Sequence, residues 1–163
     1  MGLGYGVSTL FILDGLLGRG IDSPRHAAID PNQATRFANC GLQVVAQAGA
    51  SDLLEFHDKP SEIVLPQLLD AGRLFDVAFI DGNHRFDGVF VDLIYLGQLV
   101  KPGGVIFLDD YQLPAVAKAV AFATSNLRWA VEEDRQAAPE REWVVLRTAD
   151  PPRRRDYRDF VDF

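Results

Sequence analysis

A chain of 163 residues, 48% hydrophobic and 24% charged, has the length and balance of about one globular domain, neither disordered nor membrane-embedded. Its net charge of −7 opposes tight binding to a phosphate backbone, and runs such as Val77–Ile80 and Val105–Leu108 are too short to span a bilayer. Cys40 is the single cysteine, which excludes an intramolecular disulfide. With no secretion signal read at the start, the cytoplasm is the expected compartment.

Segments of two periods alternate along the chain. Ser8–Leu17 carries Leu10, Phe11, Leu13, Leu16 and Leu17, which suits a buried amphipathic helix stopped by Gly18 and Gly20. A short strand, His26–Asp30, closes at Pro31-Asn32. Gln33–Ala48 reads as a helix interrupted by Gly41, and Leu53–His57 as the next strand. Ser61 is placed to cap a helix running to about Asp70, ended by Gly72. Phe75–Ile80 has the composition of a strand buried on both faces. Phe86–Val100 is apolar at helical spacing, and Lys101-Pro102-Gly103-Gly104 turns the chain into a strand at Val105–Leu108. A helix at Pro114–Ser125 precedes two closing strands, Trp129–Glu132 and Glu142–Leu146, expected to pair antiparallel. The alternation predicts an α/β fold, a doubly wound and mostly parallel sheet, over residues 1–149, with 150–163 as a C-terminal tail. Arg153-Arg154-Arg155, followed closely by Asp156 and Asp159, reads as a solvated part of that tail rather than a nucleic-acid patch.

In such sheets ligands sit beyond the carboxyl ends of the strands. Asp30, Asp81 and Asp109-Asp110 all stand at such ends. Gly2-Leu3-Gly4-Tyr5-Gly6-Val7-Ser8-Thr9 is a glycine-rich loop leading into a helix, where free N–H groups can receive an anion. It does not fit G-x-G-x-x-G, since the last position is Val7 counted from Gly2 and Thr9 counted from Gly4, which disfavours a nicotinamide-dependent oxidoreductase. Asp30 can accept hydrogen bonds from both ribose hydroxyls of an adenosine, or can cap the segment that follows it.

Ile29-Asp30-Pro31, the run from Phe75 to His84 and the run from Leu99 to Ile106 resemble the blocks of class I S-adenosylmethionine-dependent methyltransferases. The subgroup they are most similar to is the small-molecule O-methyltransferases of the catechol and caffeoyl-CoA kind, in the Ile-Asp-Gly-x-His variant. The resemblance covers about residues 1–125. It implies a Rossmann-like fold and methyl transfer from S-adenosylmethionine to a hydroxyl of a small-molecule acceptor. It also implies roles. Gly2, Gly4, Tyr5, Gly6 and Ser8 would line the methionine part of the cofactor, Asp30 would hold the ribose, and Ser61 and Glu62 match positions that contact adenine. Asp81 would lie beside the sulfonium and the acceptor, and with Asp109 and Asp110 would match the ligands of a magnesium ion in metal-dependent relatives. Three close carboxylates without a cation would repel and raise some pKa values, so metal and shared protons both remain open. His84 is placed either to deprotonate the acceptor or to orient Asp81 or cap the next helix. Tyr111 would wall the acceptor pocket or fill the core, and His26 and His57 have no catalytic context.

Where that family enters its glycine loop from a central strand, this sequence has Met1, and only Met1–Leu3 could remain of the strand. A start codon assigned too late, a truncated chain, or a short form that repairs the gap as a homodimer would each account for this. A non-catalytic cofactor-binding or interaction remnant is the alternative function. Asp150-Pro151-Pro152-Arg153 is superficially similar to the Asp-Pro-Pro-Tyr motif of base-directed enzymes, but it follows the last strand and is a decoy.

Overall fold

The computed structural model describes residues 1–21, 24–138, 141–152 and 156–163, so the arginine run at 153–155 lies outside the described residues. The chain divides into two compact units, Met1–Val64 and Leu65–Phe163.

In the first unit, helix α1 (Val7–Gly18) precedes strand β1 (His26–Ile29), helix α2 (Cys40–Gln47), a 3-10 turn at Ser51–Leu53 and strand β2 (Leu54–His57). β1 and β2 pair in parallel from His26↔Leu54 to Ile29↔His57. Leu13, Val45 and Ala50 form a small core, with Leu10, Leu53 and Leu54 packed against it. α1 is not the buried amphipathic helix its composition suggests: Phe11 is 74% exposed. Two residues round a helix turn a side chain by about 200°, so Phe11 and the buried Leu13 cannot share a face. Met1–Leu3 form no strand, and Gly2 N donates to Ile29 O at 2.9 Å on the edge of β1 away from β2.

The helix expected from Gln33 starts only at Cys40. Residues 31–39 are turns, and Ala38 and Asn39 both have positive φ, 47° and 58°, which no α-helix tolerates. Helix α3 (Ser61–Asp70) then carries the chain from the first unit into the second. Pro60 O accepts from Ile63 N and Val64 N, so Ser61 is the first helical residue and not the cap. Gly72, at φ 67°, ends the helix as expected, with Arg73 N donating to Leu68 O at 3.0 Å.

The second unit holds strand β3 (Phe75–Ile80), helix α4 (Phe86–Leu99), strand β4 (Val100–Leu108), helix α5 (Pro114–Asn126) and strands β5 (Ala130–Ala138) and β6 (Arg141–Arg147). The sheet order is β3-β4-β6-β5, with β3 and β4 parallel and β6 antiparallel to both neighbours. α4 is the crossover between the parallel strands, and its Val89, Leu93 and Leu99 are fully buried, with Ile106, Leu108 and Leu146 of the sheet. β3 is an edge strand, and Val77 is 48% exposed, so the expectation of burial on both faces fails there. The turn predicted at 101–104 lies inside β4 as an irregularity: Phe75 pairs with Val100 but Val77 with Val105. The closing strands pair antiparallel, as expected, and are longer than predicted.

The C-terminal segment is anchored on α5. Asn126, buried at the end of α5, donates from Nδ2 to Val161 O at 2.8 Å and accepts from Val161 N on Oδ1 at 2.9 Å. The Phe163 ring meets Phe122 edge-on at 5.1 Å. Among the described residues no helix is long and apolar enough to cross a membrane.

Candidate functional site

The glycine loop owes its shape to alternating backbone signs. Gly2, Gly4 and Gly6 have φ of 87°, 51° and 83°, while Leu3 and Tyr5 between them stay out of the positive region. Such alternation turns successive N–H groups inward and makes a concave anion site. The anion that occupies it comes from the chain itself. Asp30 Oδ2 accepts from Leu3 N at 3.1 Å and Gly4 N at 2.9 Å, and from Gln33 Nε2 at 2.9 Å, while Oδ1 accepts from Asn32 N at 2.8 Å. Burial alone would raise its pKa, but these donors outweigh it and hold Asp30 below the ordinary carboxylate range. Each carboxylate oxygen offers about two acceptor sites, so Oδ2 is fully used and Oδ1, which holds only Asn32 N, keeps one.

Gly41, which looked like a weak point in a helix, is required by close packing. A Cβ there would lie 2.5 Å from Gly4 O and 3.0 Å from Gln33 Oε1. Gly6 meets it from the other side, its own Cβ position being 2.8 Å from Gly41 O. Gly6 is the N-cap of α1, and Leu10 N makes the first intrahelical bond, to Gly6 O at 3.0 Å. The N–H groups of Val7, Ser8 and Thr9 are thus the ones that the helix does not use. Ser8 is half-buried on this first turn, and Tyr5 is exposed with its ring edge-on to Phe37. Thr9 points inward to His26 Nε2 at 3.2 Å, and burial pulls the His26 pKa down to about 4, so it is neutral near pH 7. His57 pairs with Glu55 at 3.0 Å. Ser61 is half-buried at the start of α3 and Glu62 beside it is exposed.

In the second unit, the ends of two parallel strands bring Asp81, His84 and Asp110 together. Each offers a ligand atom, and these atoms lie within 4.8 Å of one another. His84 Nε2 is 3.2 Å from Asp110 Oδ2 and 3.8 Å from Asp81 Oδ1. Asp110 reaches the cluster through a left-handed backbone, φ 56°, which aspartate tolerates better than most residues. Gln112 Nε2 holds Asp110 Oδ1 at 2.9 Å and its Oε1 accepts from Glu142 N at 2.8 Å. Tyr111 is fixed by its backbone, N to Glu142 O at 2.9 Å. The turn into α4 is shaped by Asn83, whose Oδ1 accepts from Arg85 N at 3.0 Å and whose amide covers Gly88.

Burial raises the Asp81 pKa, the charges of Asp109 and Asp110 raise it further, and His84 only partly opposes them. Asp109 acts on Asp81 through charge, whereas the converging set holds His84 where Asp109 was expected. His84 Nε2 is buried and has no hydrogen-bond partner despite its proximity to Asp110. Two carboxylates and an unengaged imidazole nitrogen suit a divalent cation, and the nitrogen favours a transition metal over magnesium.

Two residues escaped sequence reasoning. Gln33 and Gln112 each fix a carboxylate of a site, and the signals for them, an amide three or two residues after an acid, are too common to single out.

A family model described as a methyltransferase domain matches residues 1–111. Caffeoyl-CoA O-methyltransferase 1 of Eucalyptus globulus is 35% identical over 72 residues, covering 43% of this chain and 28% of that protein. Uncharacterized protein R132 of Acanthamoeba polyphaga mimivirus is 37% identical over 68 residues, 37% of this chain and 31% of its own length. The matched stretches thus span about a third or less of these curated relatives. Among solved structures, the O-methyltransferase from Bacillus cereus in complex with SAH superposes with a TM-score of 0.70 at 17% identity, over 90% of this chain and 71% of that one. Cofactor-bound Rv0187 from MTB gives 0.71 at 19% identity, over 90% and 70%. The fold is accordingly the Rossmann-like methyltransferase fold, as the strand–helix alternation and the sequence blocks predicted. With the family model covering more than half of its length, the chain belongs to the methyltransferase-domain family.

Proposed function

We propose that the chain transfers a methyl group from S-adenosylmethionine to a hydroxyl of a small-molecule acceptor. The convergence of Asp81, His84 and Asp110 carries the reading, because it offers proton-accepting and cation-holding groups together. The donor sulfonium is already activated, so the protein has only to position the reactants and tune the nucleophile. In the first unit, the N–H groups of Val7–Thr9 and the Ser8 hydroxyl take the cofactor carboxylate, and Asp30 Oδ1 takes one ribose hydroxyl. Gly2, Gly4, Tyr5 and Gly6 line the methionine part, and Ser61 and Glu62 the adenine. In the second, Asp81 and Asp110 orient the acceptor hydroxyl and His84 accepts its proton. A divalent cation held by Asp81, Asp110 and His84, with Asp109 as a neighbouring charge, would occupy the His84 nitrogen instead and lower the pKa of that hydroxyl, so that its proton leaves to solvent.

The test is transfer of labelled methyl from S-adenosylmethionine to a panel of vicinal-diol phenols and sugars, with and without magnesium or manganese. Turnover that Asp81→Asn abolishes while S-adenosylhomocysteine still binds is the expected result. Cofactor binding with no turnover on any hydroxylated acceptor, metal present, would overturn the catalytic reading in favour of a cofactor-binding module.

A further inference from the structure

Gln33 sits where a stability argument alone would not put it. It is 2% exposed, lies in a turn rather than a helix, and leaves its Oε1 buried without a hydrogen-bond partner. An orphaned buried carbonyl is a net cost, so what the other end of the amide does must compensate. Nε2 donates to Gly4 O at 2.8 Å and to Asp30 Oδ2 at 2.9 Å. Both partners are acceptors only, so the amide orientation is fixed by chemistry and both of its hydrogens are engaged. The same Gly4 residue is gripped a second time, since Gly4 N donates to Asp30 Oδ2. Gln33 is anchored in turn through its own carbonyl, which accepts from Asn39 N at 2.7 Å.

We infer that Gln33 is a positioning residue for cofactor binding, an inference that rests on the reading of the glycine loop and Asp30 as the cofactor site. Its amide ties the loop to the acid, so that the loop's curvature and the Asp30 rotamer are set before any ligand arrives. By sharing the load on Oδ2 it leaves Oδ1 with its remaining acceptor site. Leucine at this position fills the volume but releases Gly4 O and one bond to Asp30. Glutamate keeps the shape but sets a second carboxyl group against Asp30, the ionisable group that Gln33 hydrogen-bonds. Two carboxyl groups so close ionise together only at a cost, which raises the pKa of the second to ionise, and the introduced one, when protonated, can restore one donated bond.

The experiment is calorimetric titration of S-adenosylhomocysteine into the wild type, Gln33→Leu and Gln33→Glu, at about pH 6 and about pH 8. Each variant is read as a ratio to the wild type at the same pH, with thermal unfolding followed in parallel. Gln33→Leu is expected to weaken binding about tenfold or more at both pH values while unfolding cooperatively. Gln33→Glu is expected to bind worse at the higher pH and to recover at the lower, a signature that a purely structural role would not give. Binding equal to the wild type in a folded Gln33→Leu, or a Gln33→Glu ratio that does not move with pH, overturns the inference. Should Gln33→Leu not fold, the Gln33 side-chain amide in the wild type decides: exchange-protected protons that shift on ligand binding support it, and freely exchanging ones overturn it. A folded wild type that does not bind S-adenosylhomocysteine sinks the reading of the site itself, and this inference with it.

Discussion

Asp30 and Asp81 are the same residue at the same kind of place, just past the end of a parallel strand, yet their surroundings push them in opposite directions. Asp30 is embraced by two loop N–H groups, Asn32 N and the Gln33 amide, and its proton is held more weakly than usual. Asp81 faces Asp109 and Asp110 in a partly buried position, and its proton is held more tightly. The first carboxylate is a building element that completes the loop around it. The second stores electrostatic tension that a cation, a proton or a ligand hydroxyl can relieve. Carboxylates alike in sequence context thus divide into structure and chemistry by the donors that the fold aims at them.

The contrast breaks most severely at Asp30. Asp30→Ala leaves several buried donors without an acceptor and is expected to destabilise the first unit by about 4 kcal/mol, read from urea unfolding. Gly41→Ala comes next, since its Cβ collides with the Gly4 carbonyl that the Asp30 network fixes; a loss of about 3 kcal/mol is expected in the same assay. Asp81→Asn sharpens the contrast by moving the other way. Relieving repulsion is expected to stabilise the unliganded protein by about 1 kcal/mol, roughly 3 °C in Tm, while weakening binding of a divalent cation.

The smallest effect is the pH dependence. Below the ordinary value of 3.8 the unfolded state takes up the proton that folded Asp30 resists, so its contribution fades as pH falls through its lowered folded value. Asp81 runs oppositely: folded protein holds its proton longer, so stability declines as pH rises from 3.8 past the raised folded value. Thermal melts across this range are expected to lose the first slope in Asp30→Asn and the second in Asp81→Asn.

Much of this was legible wherever one period dominated. α4, α5 and the closing strands appear where Val89, Leu93, Leu96 and Val144, Leu146 put their apolar spacing, because burial and periodicity agree there. The start of α2 was not legible. Gln33 to Phe37 are acceptable helix residues by local preference, but the side chain of Asp30 captures Asn32 N and Gln33 reaches back to Gly4. The second of these bonds crosses about thirty positions, and no local pattern encodes it. The acids at the strand ends were visible as candidates, yet choosing Asp110 over Asp109 needed the positive φ at Asp110. Likewise α1 carries apolar residues on more than one side, and composition could not say that Phe11 faces outward.

The clasp on the C-terminal segment has its own consequence. Asn126 grips Val161 through the peptide alone, both an N–H and a C=O, while the Val161 side chain is 51% exposed. Position 161 is therefore free to change its chemistry but not its backbone. A polar, charged or aromatic residue there should leave the segment seated, whereas proline, with no N–H to give, should release it even though it is apolar like valine.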